Sequence, residues 1–177
     1  MGIEIERKFT VKKLPDNLEK LPFHLIEQAY LNVSPAIRVR QEDDHFYMTY
    51  KGARSQVQGE IGQVEYNMPL DRTSYEHMRA KADGNILRKK RYLVPVNPGA
   101  YDEDYLVGRP ELAELIKSGK MAIELDVFDE PFKGVMIAEL EFPDEEAASC
   151  YHMADWFLED VTGKPEYSNA YMSSQKL

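Results

Sequence analysis

The sequence predicts an α+β, mainly β domain whose antiparallel sheet closes on itself around an interior lined with charged side chains. Three observations carry that expectation. Short segments in which apolar and charged residues alternate recur along the chain, turn residues punctuate them throughout, and within most segments the charged face carries a single sign. At 177 residues the chain suits one domain spanning 1–177, and no internal repeat, low-complexity tract or Gly/Ser linker divides it.

The expected strands are Ile3 to Val11, Ile26 to Leu31, Ala36 to Gln41, Phe46 to Lys51, Gln63 to Pro69, Leu87 to Val96, Ala122 to Phe128 and Val135 to Phe142. In the first, Glu4, Glu6 and Lys8 share one face, and Ile3, Ile5, Phe9 and Val11 lie on the other with Arg7. Arg38 and Arg40 oppose Ile37 and Val39. Lys51 shares a face with Tyr47 and Thr49, and Glu65 opposes Val64 and Tyr66. Lys89 and Arg91 share a face, Glu124 and Asp126 oppose Ile123, Leu125 and Val127, and Glu139 and Glu141 oppose Ala138, Leu140 and Phe142.

Helices are expected at Thr73 to Ala82, opened by the capping box Thr73-Ser74-Tyr75-Glu76, and at Asp144 to Phe157, where Asp144 caps a Glu-rich first turn. A third, Pro110 to Lys117, has proline in its first turn and Gly119 just past its end. It lies in a helical insertion at about 97–120, whose Leu112, Leu115 and Ile116 stripe is expected to pack on the sheet.

Any one of these strands is best explained by an open sheet with a solvated face. Sorting by sign over seven strands favours an enclosed interior, with the apolar faces outward under the helices. Clustered carboxylates repel unless a cation sits among them, and hard divalent ions such as Mg²⁺ or Mn²⁺ take oxygen ligands from Asp and Glu. Guanidinium forks match phosphate oxygens, so the basic wall is complementary to a chain of phosphates.

The opening Glu4-Ile5-Glu6-Arg7-Lys8 resembles the ExExK start of the CYTH superfamily, the triphosphate tunnel metalloenzymes. The resemblance continues in family order through Arg38-Val39-Arg40, Met48-Thr49-Tyr50-Lys51, Glu65-Tyr66, Lys89-Lys90-Arg91-Tyr92, Glu124-Leu125-Asp126-Val127-Phe128 and Glu139-Leu140-Glu141-Phe142. It implies an eight-stranded antiparallel tunnel that hydrolyses a small triphosphate with Mg²⁺ or Mn²⁺. By that resemblance Glu4, Glu6, Glu139 and Glu141 hold the metal with help from Asp126 or Glu124, and Lys8, Arg38, Arg40, Lys51, Lys89 and Arg91 bind substrate. Lys8 is the candidate for the leaving group, with Glu6, Glu65 and Tyr30 as further catalytic candidates. Asn67 stands where relatives often have a second Glu, and Ala170 where a Lys commonly follows Asn169.

Net charge is −9 with no long basic run, which argues against binding nucleic-acid duplexes. No apolar stretch suits a membrane span, no secretory signal is visible, and the cytoplasm is the expected address. The single Cys150 excludes an intrachain disulfide, and the four histidines show no ligand spacing. Dimerisation is left open. Two readings compete with the triphosphatase: a class IV adenylyl cyclase, and a binding module for polyphosphate or nucleotide that catalyses nothing. Relatives with cyclase activity carry a His-Phe element before ExExK, and here only Met1-Gly2-Ile3 precede Glu4. Thiamine triphosphate as substrate would call for an aromatic platform, and the one tryptophan, Trp156, falls in the late helix.

Overall fold

The computed structural model describes residues 2–54 and 63–176. Among them, nine strands form one antiparallel sheet and five helices flank it. The strands are β1 (Gly2–Val11), β2 (Phe23–Val33), β3 (Ala36–Glu42), β4 (His45–Arg54), β5 (Gln63–Leu70), β6 (Asp83–Pro95), β7 (Ala122–Phe128), β8 (Met136–Phe142) and β9 (Phe157–Asp160). Their order across the sheet is β5-β4-β3-β2-β6-β7-β8-β1-β9. β1 also pairs with β5 through Gly2↔Glu65, Ile3↔Val64 and Glu4↔Gln63.

Residues opposite one another in an antiparallel ladder share a face. The register therefore gathers the charged positions: Glu6 faces Glu141 and Lys8 faces Glu139 across β1–β8, Glu124 faces Glu139 across β7–β8, and Arg91 faces Asp126 across β6–β7. Toward one end this same face turns apolar. Leu87, Phe128 and Ile137 each stand two residues from a charged residue of their strand, on the same face, and pack with Tyr30 and with Met172 of the last helix.

The opposite face carries the larger core, and helices cover it. Phe9, Ile123, Leu125, Ala138, Leu140 and Phe142 pack against Leu112, Tyr101 and Ala147. These partners come from the insertion, with its helices α2 (Glu103–Val107) and α3 (Pro110–Lys117), and from α4 (Glu145–Cys150). A smaller cluster joins Ala29 and Val39 to Tyr75 of α1 (Arg72–Arg79). No helix among the described residues is long and apolar enough to cross a membrane.

Of the three expected helices, Pro110–Lys117 is found as expected and two change. The first helix starts one residue early because Asp71, not Thr73, is its cap, its carboxylate accepting from the Ser74 amide at 2.7 Å. The helix expected to run to Phe157 keeps the Asp144 cap and ends at Cys150. Arg7 explains the stop: its guanidinium takes up the carbonyls of Ala148 at 2.9 Å and Tyr151 at 3.1 Å, groups a longer helix would need. Phe157 then stacks on Phe9 at 4.4 Å and opens the unexpected β9, which pairs with β1. A further unexpected helix, α5 (Asn169–Ser174), is capped by Ser168 and lies against β6 and β2. Its approach needs Gly84, whose φ is +73° and where a Cβ would fall 2.2 Å from the Ser173 carbonyl oxygen.

Candidate active site

A cavity of about 470 Å³ opens on the charged face. Of the residues expected there from sequence, Glu4, Glu6, Lys8, Tyr30, Arg38, Arg40, Lys51, Glu65, Arg91, Glu124, Glu139 and Glu141 all line it. Lys89 and Asp126 do not; both are almost wholly buried behind the wall. The chain-specific Asn67 and Ala170 also reach the cavity. Thr49 donates to Asn67 Oδ1 at 2.6 Å, and Asn67 Nδ2 donates to Glu65 Oε1 at 2.9 Å, so the amide holds that carboxylate in place.

Opposite charges meet in stages around the cavity. Lys8 Nζ lies 2.7 Å from Glu139 Oε1. Burial opposes the charge on Lys8, but Glu139 and Glu6 outweigh it and hold the ammonium well above its ordinary range. Glu139 also accepts from Arg91 at 2.7 Å, and the two cations hold it ionised in spite of its burial. Arg91 forks Asp126, with Nε to Oδ1 at 2.7 Å and a terminal nitrogen to Oδ2 at 2.8 Å, and also pairs with Glu124. Behind it Lys89 pairs with Asp126. Its burial outweighs that carboxylate and pushes the ammonium down to about 8, still mostly charged at neutral pH. Lys51 pairs with Glu4 and lies 3.6 Å from Glu65 and 3.9 Å from Glu6.

The β3 wall is different. Arg40 is only 6% exposed and donates to two neutral groups, Gln28 Oε1 and the Tyr47 hydroxyl, each at 3.1 Å. No carboxylate among the described residues forms an ion pair with it, and burial together with Arg38 and Arg91 pulls its pKa down. Arg38 has one carboxylate, Glu65 at 3.9 Å, and its Nε is buried without a hydrogen bond, but Tyr30 and Glu65 together outweigh its burial and raise its pKa. Arg40 is therefore a buried positive charge that the protein itself leaves largely unanswered.

The facing wall has the converse problem. Burial, a hydrogen bond with Glu4 and the nearby Glu124 and Glu6 push the Glu141 carboxyl up to about 8, so at neutral pH it keeps a proton. Glu4 Oε2 meets the Lys51 ammonium, while Glu65 Oε2 is buried without a hydrogen bond, 3.6 Å from the same ammonium. Such oxygens suit a hard divalent cation in place of that proton. Among the described residues no three of these carboxylates stand close enough to form a preassembled metal cage.

Several lining residues carry no role in the sequence expectations, Glu42, Tyr47 and Lys164 among them. Glu42 accepts from the Tyr47 hydroxyl at 2.5 Å, and its spacing from Arg38 and Arg40 could have found it. Tyr47 was assigned to the right face without a role. Lys164, paired with Glu159, sits in a coil after β9 where no periodicity points.

Comparison with known proteins agrees with this arrangement. The CYTH domain model matches residues 2–147. An inorganic triphosphatase of Nitrosomonas europaea is 30% identical over 174 residues, covering 94% of this chain and 93% of that protein. One from Acetivibrio thermocellus is 26% identical over 171 residues, covering 96% and 92%. The crystal structure of the inorganic triphosphatase NE1496 superposes with a TM-score of 0.62 at 27% identity, covering 99% and 97%. With the charged strand faces in family order and a model match over most of its length, the chain belongs to the CYTH domain family.

Proposed function

We propose that the protein is a metal-dependent hydrolase that cleaves a small triphosphate, inorganic tripolyphosphate foremost, to pyrophosphate and phosphate inside a tunnel formed by closure of the sheet. The β1–β5 pairing supports closure, because it joins the two ends of the eight-strand run from β5 to β1. The names of both similar proteins, inorganic triphosphatases, support the substrate class. The observation that carries the reading is Arg40: a buried guanidinium on the cavity, flanked by Arg38 and Arg91 and lacking a carboxylate, requires an anionic ligand to complete it.

Glu4, Glu6 and Glu141 fit Mg²⁺ or Mn²⁺ in donor chemistry, with Glu139 beside them on β8. These residues would hold the ion, which would supply charge neutralisation at phosphate oxygens and a lowered pKa for the attacking water. Glu124 and Asp126, tied to Arg91, serve the metal wall indirectly. Arg38, Arg40, Arg91 and Lys51 hold phosphate oxygens, and the Tyr30 hydroxyl supplies a neutral donor. Water attacks the terminal phosphorus, oriented by Glu65 or Glu6. The bridging P–O bond breaks, and its electron pair leaves on the pyrophosphate oxygen, where Lys8 donates a hydrogen bond.

The test is release of phosphate, pyrophosphate and cyclic AMP from tripolyphosphate, ATP and thiamine triphosphate, each with Mg²⁺, Mn²⁺ or chelator. Metal-dependent phosphate and pyrophosphate from tripolyphosphate is the expected result. Cyclic AMP from ATP would make the protein a cyclase, and tripolyphosphate binding without turnover would make it a binding module.

A further inference from the structure

Lys89 and Asp126 are the two expected site residues that line no part of the cavity. The Lys89 side chain has no exposed surface and the Asp126 side chain only 1%. The ammonium lies 5.2 Å from the centre of the Phe128 ring, at the apolar end of the charged face, and its ion pair is with Asp126 Oδ2. Asp126 has one further partner, Arg91, which it receives on both oxygens. Arg91 continues to Glu139, and Glu139 to Lys8. Lys89 is thus the far end of a buried chain whose near end is the cavity wall.

We propose that Lys89 is a positioning residue that touches no phosphate: it locks the Asp126 carboxylate, which forks the Arg91 guanidinium, and its influence on substrate passes entirely through Arg91. Geometry separates this role from direct binding. The ammonium is committed to Asp126 and lines no part of the cavity, whereas Arg91, which shares that carboxylate, does line it. Charge makes the same point. Lys89, Arg91 and Lys8 are matched in number by Asp126, Glu124 and Glu139, so Lys89, unlike Arg40, has a carboxylate partner within the protein. A guanidinium forked by a carboxylate that is itself held on its second side has one orientation left, which is what in-line phosphoryl transfer asks of a phosphate clamp.

This proposal rests on the triphosphatase reading, and its test separates the two. The variants are Lys89→Met, Asp126→Asn and their combination, assayed for kcat and KM on tripolyphosphate with Mg²⁺. Lys89→Met is expected to lower kcat about 10- to 100-fold with KM changed less than about threefold, since small misplacements cost about that much. The double variant is expected to match Asp126→Asn within about threefold, because both substitutions break one chain. Effects that multiply in the double variant, or a KM raised about tenfold or more by Lys89→Met with kcat retained, would overturn it. Should Lys89→Met fail to fold, the double variant, which keeps two cations against two carboxylates, still decides by comparison with Asp126→Asn. A second readout needs no turnover. The Arg91 Nε–H resonance is expected to be protected in the wild type and shifted or exchange-broadened in Lys89→Met; an unchanged signal refutes positioning even if the wild type cleaves nothing, and that absence of cleavage alone refutes the triphosphatase reading.

Discussion

Replacing Arg40 by glutamine should stabilise the ligand-free fold while removing its function. On one strand Arg38 and Arg40 are two residues apart, about 7 Å along the chain, so at an effective dielectric near 20 their repulsion is roughly 2 kcal/mol. Burial adds to that cost, and Arg91 adds more. Against it stand the two hydrogen bonds to Gln28 and Tyr47, worth about 1 kcal/mol each. Glutamine can keep the one to Gln28, which matters because Gln28 is fully buried and its Nε2 already lacks a partner. The balance is a gain of about 1–2 kcal/mol, or roughly 2–6 °C in Tm for a domain of this size. Thermal unfolding in phosphate-free buffer, with and without tripolyphosphate, reads both halves. The wild type should rise in Tm with tripolyphosphate, and Arg40→Gln should start higher and rise little. Its kcat/KM should fall about 100- to 1000-fold, the loss of roughly 3–4 kcal/mol of charge stabilisation. A ligand-free Tm lowered by more than about 4 °C, or an undiminished response to tripolyphosphate, would refute the claim that Arg40 is an unanswered charge awaiting an anion.

Lys8→Ala should reduce kcat far more than it weakens substrate binding; equal turnover at saturating tripolyphosphate would remove Lys8 from the chemistry. Gly84→Ala forces a left-handed backbone onto a side chain and drives a Cβ into the Ser173 carbonyl, so α5 must lift from β6; a loss of about 2–4 kcal/mol in denaturant unfolding is expected, with reduced turnover because Asn169 and Ala170 leave the cavity. Asp160, whose carboxyl is held low against burial by Thr162 and Arg7, contributes stability that is present above about pH 4 and lost as pH falls through its folded value. Asp160→Asn should therefore cost about 1 kcal/mol at pH 7 and converge with wild type as pH falls below the folded value of Asp160 in a Tm series. Glu141, raised to about 8, has the opposite sign: metal-free stability should decline as pH climbs from the ordinary carboxylate range through about 8, and Glu141→Gln should flatten that decline in chelator while abolishing the Tm increase given by Mg²⁺.

Strand faces were legible because a strand has a period of two, and parity alone assigns Glu4, Arg40, Lys51 or Glu139 to one side whatever the distant partners are. Parity also grouped Arg7 with the apolar face, correctly, but could not reveal its work: the carbonyls that end α4 and the carboxylate of Asp160, 2.5 Å away, come from 141 to 153 residues further along. α5 escaped notice because six residues hold too little periodicity to read, and β9 because the strong Asp144 cap drew the helix onward past its end. Each miss lies where tertiary contacts, not local pattern, set the boundary.

Depth along the charged face is the harder quantity, and parity is silent on it. Lys89 and Arg91 share a face and a charge, yet one is sealed beneath the wall and the other lines the cavity. The difference lies in what stands two residues away on the same face. Leu87 precedes Lys89, Phe128 follows Asp126 and Ile137 precedes Glu139, and these three apolar residues pack into the cluster that Tyr30 and Met172 complete. A cation beside such a residue is drawn to the apolar end, where it can stay charged only against a fixed carboxylate. A cation with polar neighbours on both sides, as Arg40 has in Arg38 and Glu42, stays where an anion from solvent can reach it. The alternating pattern thus encodes which residues face inward, and for the cations the interruptions in its charge separate the sealed Lys89 from those that line the cavity.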